Sequence, residues 1–394
     1  MKKKANINYA LVYTFFEGMI SFIFGYGIYI LLQKGFSNSL AGIIASLSST
    51  ISIFTSMLCS NFVDNNKKLN AIQVSMIICI ILVFIFFFNI LTTKPDFFSI
   101  IAFILLHCIF ECIEPAINSY NFLFNVSGIK VNFGLVRAIA SLSYAIICVI
   151  YGLLADAYSY RVLLIVALIF DLLTIIMMYR LNNNYKQIKH DKVESKIETI
   201  SFKEFFKNNE SYVLIILCLC GLFSGVTMID SFLTIILSDV SGTAKDVGYN
   251  LFIKAVFEIP GIFFFSKIEK KFGIKKVLKF ATFWYPIKML LTYLAKTTTL
   301  IYISQLFHGV PFSIILSGMV SLVNQTMNKK ESTRGLALFS SSLTVGSIIA
   351  SLLAGIISDL FSVKTMIFVS FVIVSVFSLL FNFAVTKFKK NDVA

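Results

Sequence analysis

Eleven ionisable side chains interrupt stretches that are otherwise apolar enough to cross a lipid bilayer: Glu17, His107, Glu111, Glu114, Arg137, Asp171, Asp230, Lys254, Glu258, Lys288 and His308. A charge at the middle of a spanning helix costs roughly 2.5–3.5 kcal/mol on insertion scales. Residues of this type at this depth therefore pair with one another or line a wet cavity. The chemistry open to them is recognition of a polar solute, movement of a proton, or ion pairing between helices.

The strongest local pattern is His107, Glu111, Glu114 and Asn118, at offsets of 4, 7 and 11 residues from the first. On a helix these fall within about 60° of one another and make one polar face, which Pro115 can kink. Two carboxylates one turn apart in low dielectric repel, so one of them is expected to hold a proton. The face serves either as a substrate wall or as a polar seam between packed helices. Arg137 is the natural counter-charge. Glu17 has Tyr13, Ser21 and Phe24 at offsets of −4, +4 and +7, an aromatic face with one acid that suits a cavity wall; equally, Tyr13 suits a membrane interface. Lys254 and Glu258, four apart, can pair on one helix. Asp171 stands alone and either snorkels or pairs structurally.

Long apolar helices must position these groups. The chain has 394 residues, is 58% hydrophobic and only 14% charged, with a mean hydropathy of +0.86. A soluble globular protein has about 25% charged residues, so that class is excluded. Twelve segments are long enough to cross about 30 Å of hydrocarbon: 8–33, 38–61, 70–93, 97–121, 131–154, 161–181, 212–238, 246–266, 275–296, 298–326, 334–358 and 364–386. Of the 34 Lys and Arg residues, 25 lie in the two tails and the even-numbered connections, and six in the odd-numbered ones. Positive loops stay cytoplasmic, which places both termini inside. The net charge of +14 is then topology rather than nucleic-acid binding. The Lys2-Lys3-Lys4 start precedes an apolar run too long for a signal peptide, and no small-x-small cleavage site follows, so a retained first helix is expected. The seven cysteines lie in apolar segments without metal-ligand spacing and read as small apolar side chains. No cofactor or metal is called for.

The one long polar stretch, 182–211, divides six spans (1–181) from six (212–394), and its segment 202–207 is amphipathic enough to lie along the cytoplasmic surface. The halves echo each other. Gly152-Leu153-Leu154-Ala155-Asp156 closes the fifth span and Gly355-Ile356-Ile357-Ser358-Asp359 the eleventh; Asp64 to Lys68 follows the second and Glu269 to Lys276 the eighth. Two related six-helix halves are a transporter architecture.

These features resemble the major facilitator superfamily across essentially the whole chain. Its signature after the second span is Gly-x-Leu-x-Asp-Arg-x-Gly-Arg-Arg/Lys. The chain keeps Asp64, Lys67 and Lys68, has Ser60 in place of the first Gly, and lacks the second; the other copy keeps Glu269, Gly273, Lys275 and Lys276. These are the gating motifs that the resemblance implies. Asn132 to Arg137, with Ser141 and Tyr144, is similar to the lactose permease branch and its phenylpropionate and nucleoside permease relatives. There the Arg binds substrate and an aromatic seven residues later, here Tyr144, stacks on it. Ala140 and Ser143 stand where the branch prefers Gly, and its sugar-binding Glu falls near Asn118, so lactose specificity is not implied. The resemblance also places Glu258 near the coupling acid, Lys288 near the span-nine Arg and Asp230 near the span-seven acids. Gln305-Leu306-Phe307-His308-Gly309 looks like the branch's Gln-x-x-His-Gly element. The branch's own coupling Glu and His fall at Gly309 and Leu306, leaving Glu258 and His308 to serve.

The expected protein is an all-α polytopic permease of the bacterial cytoplasmic (inner) membrane, acting as a monomer by alternating access. It would move a sugar, nucleoside or organic acid with a proton. Substrate contacts are expected from Glu17, Glu111, Glu114, Asn118, Arg137 and Tyr144. Proton coupling is expected from Asp230, Lys254, Glu258, Lys288 and His308, unless these form a structural ion-pair network. Proton-driven efflux is the alternative; the Gly-Pro motif usual in such exporters is missing between Ser141 and Asp156. No Gly-x-x-x-x-Gly-Lys-Ser/Thr loop is present for ATP, and no catalytic constellation suggests an enzyme.

Overall fold

The computed structural model describes residues 2–66, 69–126, 131–186 and 201–388. The sequence features at Lys67, Lys68, 187–200 and 389–394, and the side chain of Asp64, lie outside the described residues. Those described form fourteen helices and their connections: α1 (Lys2–Gln33), α2 (Asn38–Asn65), α3 (Ala71–Leu91), α4 (Phe97–Val126), α5 (Phe133–Ala157), α6 (Tyr160–Lys186), α7 (Phe202–Asn208), α8 (Glu210–Ser231), α9 (Leu233–Asp239), α10 (Ala244–Phe272), α11 (Ile274–Leu294), α12 (Thr298–Thr326), α13 (Lys329–Leu360) and α14 (Val363–Lys387).

Ten of these helices are long and apolar enough to cross a membrane. The sequence predicts twelve spans. The other two long helices, α10 and α11, have the length but carry Lys254, Glu258 and a lysine-rich end, and Lys275, Lys276, Lys279 and Lys288. The apolar segment 212–238 is not one rod: α8 stops at Ser231 and α9 restarts at Leu233, with Phe232 between them at φ −100°, ψ 21°.

The chain divides into two compact units, Met1–Glu194 with Ala244–Phe252, and Ser195–Thr243 with Ile253–Ala394. Each is packed in the same way. In the first, α1 packs on α5 and α6, and α3 on α4 and α6; in the second, α8 packs on α13 and α14, and α11 on α12 and α14. The repeat of neighbours is the structural form of the echo between the halves. Large tyrosines fill both cores, and a buried hydroxyl usually finds a partner. Tyr9 donates to the Ile117 carbonyl, Tyr26 to Cys148 and Tyr151 to Gly18, while Tyr212 donates to Gly335, at 2.8–2.9 Å. The amphipathic segment within the central stretch is α7, started by the Ser201 hydroxyl accepting from Glu204 N and anchored by Phe205 against Tyr212.

In the second of the two short charged connections, Gly273 joins α10 to α11 at φ +79°, a positive-φ conformation that favours glycine. Glu269 accepts hydrogen bonds from Ser321 and Gln325, Lys275 donates to the Phe388 carbonyl, and Lys276 is exposed.

Candidate functional site

In the first unit the local sequence sets Arg137 early in α5. Asn132 caps that helix, its Oδ1 accepting from Leu135 N at 3.1 Å, while its own N–H donates to Asn6 Oδ1 at 2.9 Å. Arg137 then reaches α4 and α1 together. Its Nη1 lies 3.9 Å from Glu114 Oε1 and donates to the Tyr13 hydroxyl at 3.3 Å. The guanidinium sits over the Tyr13 ring, 5.5 Å from its centroid. Tyr13 in turn donates to Asn118 Oδ1 and packs on Tyr9 at 5.6 Å. Glu17, half-buried one turn along α1, is within electrostatic reach of both Glu114 and Arg137, and Glu111 of Glu114.

The polar face of α4 is therefore shared. Glu114 and Asn118 meet α5 and α1. His107 is buried elsewhere, with Nε2 3.4 Å from the Ser49 hydroxyl on α2 and its ring against Phe24 and Phe103. Tyr144 is half-buried and engaged with a neighbour; the ring under Arg137 is Tyr13, on a different helix. That pairing has no signal in the spacing along α5. The side chains of Arg137 and Glu114 are 43% and 39% exposed. Charges do not face hydrocarbon, so this surface is wet. An exposed pair of this kind contributes only about 0–1 kcal/mol to stability, which leaves its charges available to a ligand.

The second unit holds a tighter centre. Asp230 sits at the C-terminal end of α8, beside the break, where the helix dipole disfavours a carboxylate. Two ammoniums offset this: Lys254 Nζ on α10 at 2.8 Å from Oδ2, and Lys288 Nζ on α11 at 2.6 Å from Oδ1. Same-helix spacing lets Lys254 pair with Glu258; across helices it also pairs with Asp230, and Glu258 lies within electrostatic reach of Tyr285.

Lys288 Nζ is also 2.9 Å from His308 Nδ1 on α12. An ammonium can only donate, so Nδ1 accepts and the ring hydrogen rests on Nε2. The 3.6 Å separation of Nδ1 from Asp230 Oδ2 is then a contact of two acceptors, bridged by the lysine. Lys288 is 0% and His308 1% exposed. Tyr285 and Phe312 enclose the imidazole at 5.6 and 5.4 Å. This aromatic box was not read from the sequence, although Tyr285 lies one turn from Lys288 and Phe312 one turn from His308. Three buried polar groups here, His308 Nε2, the Tyr285 hydroxyl and the Gln305 amide, have no hydrogen-bond partner among the described residues.

Gly309 explains how α10 and α12 come close enough. A Cβ there would stand 2.6 Å from the Lys254 carbonyl and 2.8 Å from Glu258 N, so only glycine permits this backbone contact. Asp171 on α6 does not snorkel: it is 0% exposed and lies against the Cys79 thiol of α3, with no nitrogen or oxygen partner for its carboxyl among the described residues. Among the described residues no three His, Cys, Asp or Glu are grouped to hold a metal.

The family model that matches is the MFS_1 like family, over residues 6–390. The chain belongs to that family. Among solved structures, the nucleoside transporter NupG is similar at a TM-score of 0.80 with 16% identity, over 98% of this chain and 99% of that one. A point mutant of the same transporter gives 0.81 with 14% identity, over 97% and 99%. A bacterial homologue of the iron transporter ferroportin, in an inward-facing state, gives 0.76 with 12% identity, over 98% of each chain. At these identities the likeness shows the fold. Comparison with curated proteins finds no match. This MFS-family chain is thus an all-α, multi-pass membrane protein with the superfamily's transporter fold.

Proposed function

We propose that the protein is a secondary active transporter that carries a small organic solute across the cytoplasmic membrane by alternating access, as a proton-coupled importer. In this reading twelve spans form two six-helix halves, 1–181 and 212–394, joined by the cytoplasmic stretch 182–211, with both termini inside. The observation that carries it is the Arg137–Glu114–Tyr13–Asn118 group. It combines an exposed guanidinium and an exposed carboxylate with a half-buried amide, held in place by the buried Tyr13, and such a set fits a hydroxylated or anionic solute better than it fits a structural tie. Glu17, Glu111 and Tyr144 complete that wall. Sugars, nucleosides and organic acids all present this chemistry; nucleosides gain support from the printed name of the fold neighbour NupG.

Asp230, Lys254, Glu258, Lys288 and His308 serve as the coupling group. A carboxylate shared by two lysines, one of which also donates to an imidazole, gives a proton several nearby resting places, and small changes in helix position would move it among them. The glycine-centred turn between α10 and α11 acts with the Asp64 motif in gating.

The test is uptake into proteoliposomes of a panel of sugars, nucleosides and aromatic acids under an imposed proton or sodium gradient. Accumulation driven by the proton gradient and abolished by a protonophore is expected. Accumulation driven by sodium alone would refute the coupling, and proton-driven extrusion the direction.

A further inference from the structure

The only tryptophan of the chain stands in an apolar groove of about 230 Å³ between α11 and α12, lined by Phe280, Trp284, Leu306, Phe307 and Val310 among others. The Trp284 and Phe307 rings lie 5.3 Å apart and Phe280 meets Trp284 at 5.5 Å. The groove opens on the lipid side, where Phe280 and Phe283 are 58% and 61% exposed.

One end of it is charged. Lys276, Phe280 and Trp284 follow at i, i+4 and i+8, so they form a single stripe along α11 with the lysine one turn beyond the groove. Lys279 lies in the same turn. Across from them on α12, a Cβ on Gly318 would meet Leu278 and Ile274, which fixes that turn at the level of Lys276. Ser317, half-buried, occupies the same stripe of α12 as Val310. Among the described residues neither Lys276 nor Lys279 makes an ion pair, and the nearby Glu269 is occupied by Ser321 and Gln325.

We propose that this groove is a binding site for an anionic phospholipid. One acyl chain lies along Phe280, Trp284, Phe307 and Val310, and the phosphodiester is held by Lys276 and Lys279 with the Ser317 hydroxyl as a further donor. The charge sign selects the headgroup: about 1 kcal/mol per basic residue near an anionic surface corresponds to about fivefold in affinity per lysine. An apolar groove without the lysines would take any lipid.

Because Trp284 is the sole tryptophan, the site reports on itself. The purified protein is reconstituted in phosphatidylcholine vesicles containing equal mole fractions of either phosphatidylglycerol or phosphatidylcholine brominated on the acyl chain. Bromine quenches indole only at short range. Brominated phosphatidylglycerol is expected to quench Trp284 more strongly, and the excess to weaken about fivefold for each of Lys276→Ala and Lys279→Ala and to fall with rising salt. Equal quenching by the two lipids would show ordinary boundary lipid and overturn the proposal. An excess that survives in the double lysine variant and in high salt would place the headgroup elsewhere and equally overturn it.

Discussion

Replacing Asp230 by Asn removes the anion that two ammoniums share. The two lysine nitrogens sit 2.8 and 2.6 Å from its two oxygens, and Lys288 is 0% exposed, so its charge has no water to turn to. Breaking a buried pair in this way costs about 3–5 kcal/mol, because an uncompensated charge stays behind. Lys254, with a side chain 24% exposed, can be rehydrated and adds less. The loss should therefore be traced mainly to Lys288, and it should be repaired by removing that charge as well. Asp230→Asn, Lys288→Met and the double variant form a cycle with the native protein, measured as thermal midpoints in one detergent at one pH. The double variant is expected to be more stable than Asp230→Asn alone, with a coupling of about 1–3 kcal/mol, in the range seen for directly contacting residues. Transport is expected to stay lost, since stability returns without the titratable group. Simple additivity of the two single losses would refute the ion-paired centre.

Further outcomes follow from other sites. Arg137→Lys keeps the charge but loses the planar fork over Tyr13; substrate affinity is expected to fall at least about tenfold, with a thermal change below about 1 kcal/mol because the Glu114 pair is exposed. Gly273→Ala should cost about 1–3 kcal/mol of stability from the backbone alone, because φ +79° with ψ 146° is a region open essentially to glycine and nothing lies within 4 Å of the added Cβ; an unchanged midpoint would refute that conformation. Lys34, just beyond α1, is buried beside the Asn89 carbonyl and Thr92 hydroxyl at 3.4 and 3.3 Å. Burial pushes its ammonium down to about 8, against the opposing pull of Asp96. Its folded value lies below its unfolded value, so the unfolded chain binds more proton between about pH 8 and 10.5, and stability should rise with pH across that window. Lys34→Met should flatten that rise relative to the native protein; parallel pH curves for the two would contradict it.

What could be read from the chain depended on distance along it. The apolar lengths mark the helices, because each span declares itself locally; the superfamily rests on the resemblance of the short motifs between them. Charges such as Asp230 and Lys288 were visible as anomalies for the same reason. Their partners were not visible. Lys254 has an acid four residues away on its own helix, but the Asp230 carboxylate that it meets at 2.8 Å comes from α8. Arg137 does meet an acid of the α4 polar face, Glu114 at 3.9 Å, but nothing in the spacing marks the Tyr13 ring of α1 beneath its guanidinium. The break at Phe232 also escaped notice, since no Pro or Gly marks it and the run 212–238 is apolar throughout.

The glycine contact at position 309 has a mechanical meaning. With backbone touching backbone, the Lys254–Glu258 segment of α10 and the His308 segment of α12 have no side-chain cushion on which to slide. They can only travel together. Any rearrangement of the Asp230 carboxylate relative to Lys254 and His308 must then come from α8. The interrupted junction of α8 and α9, one residue past Ser231, is where the chain has a joint to supply it.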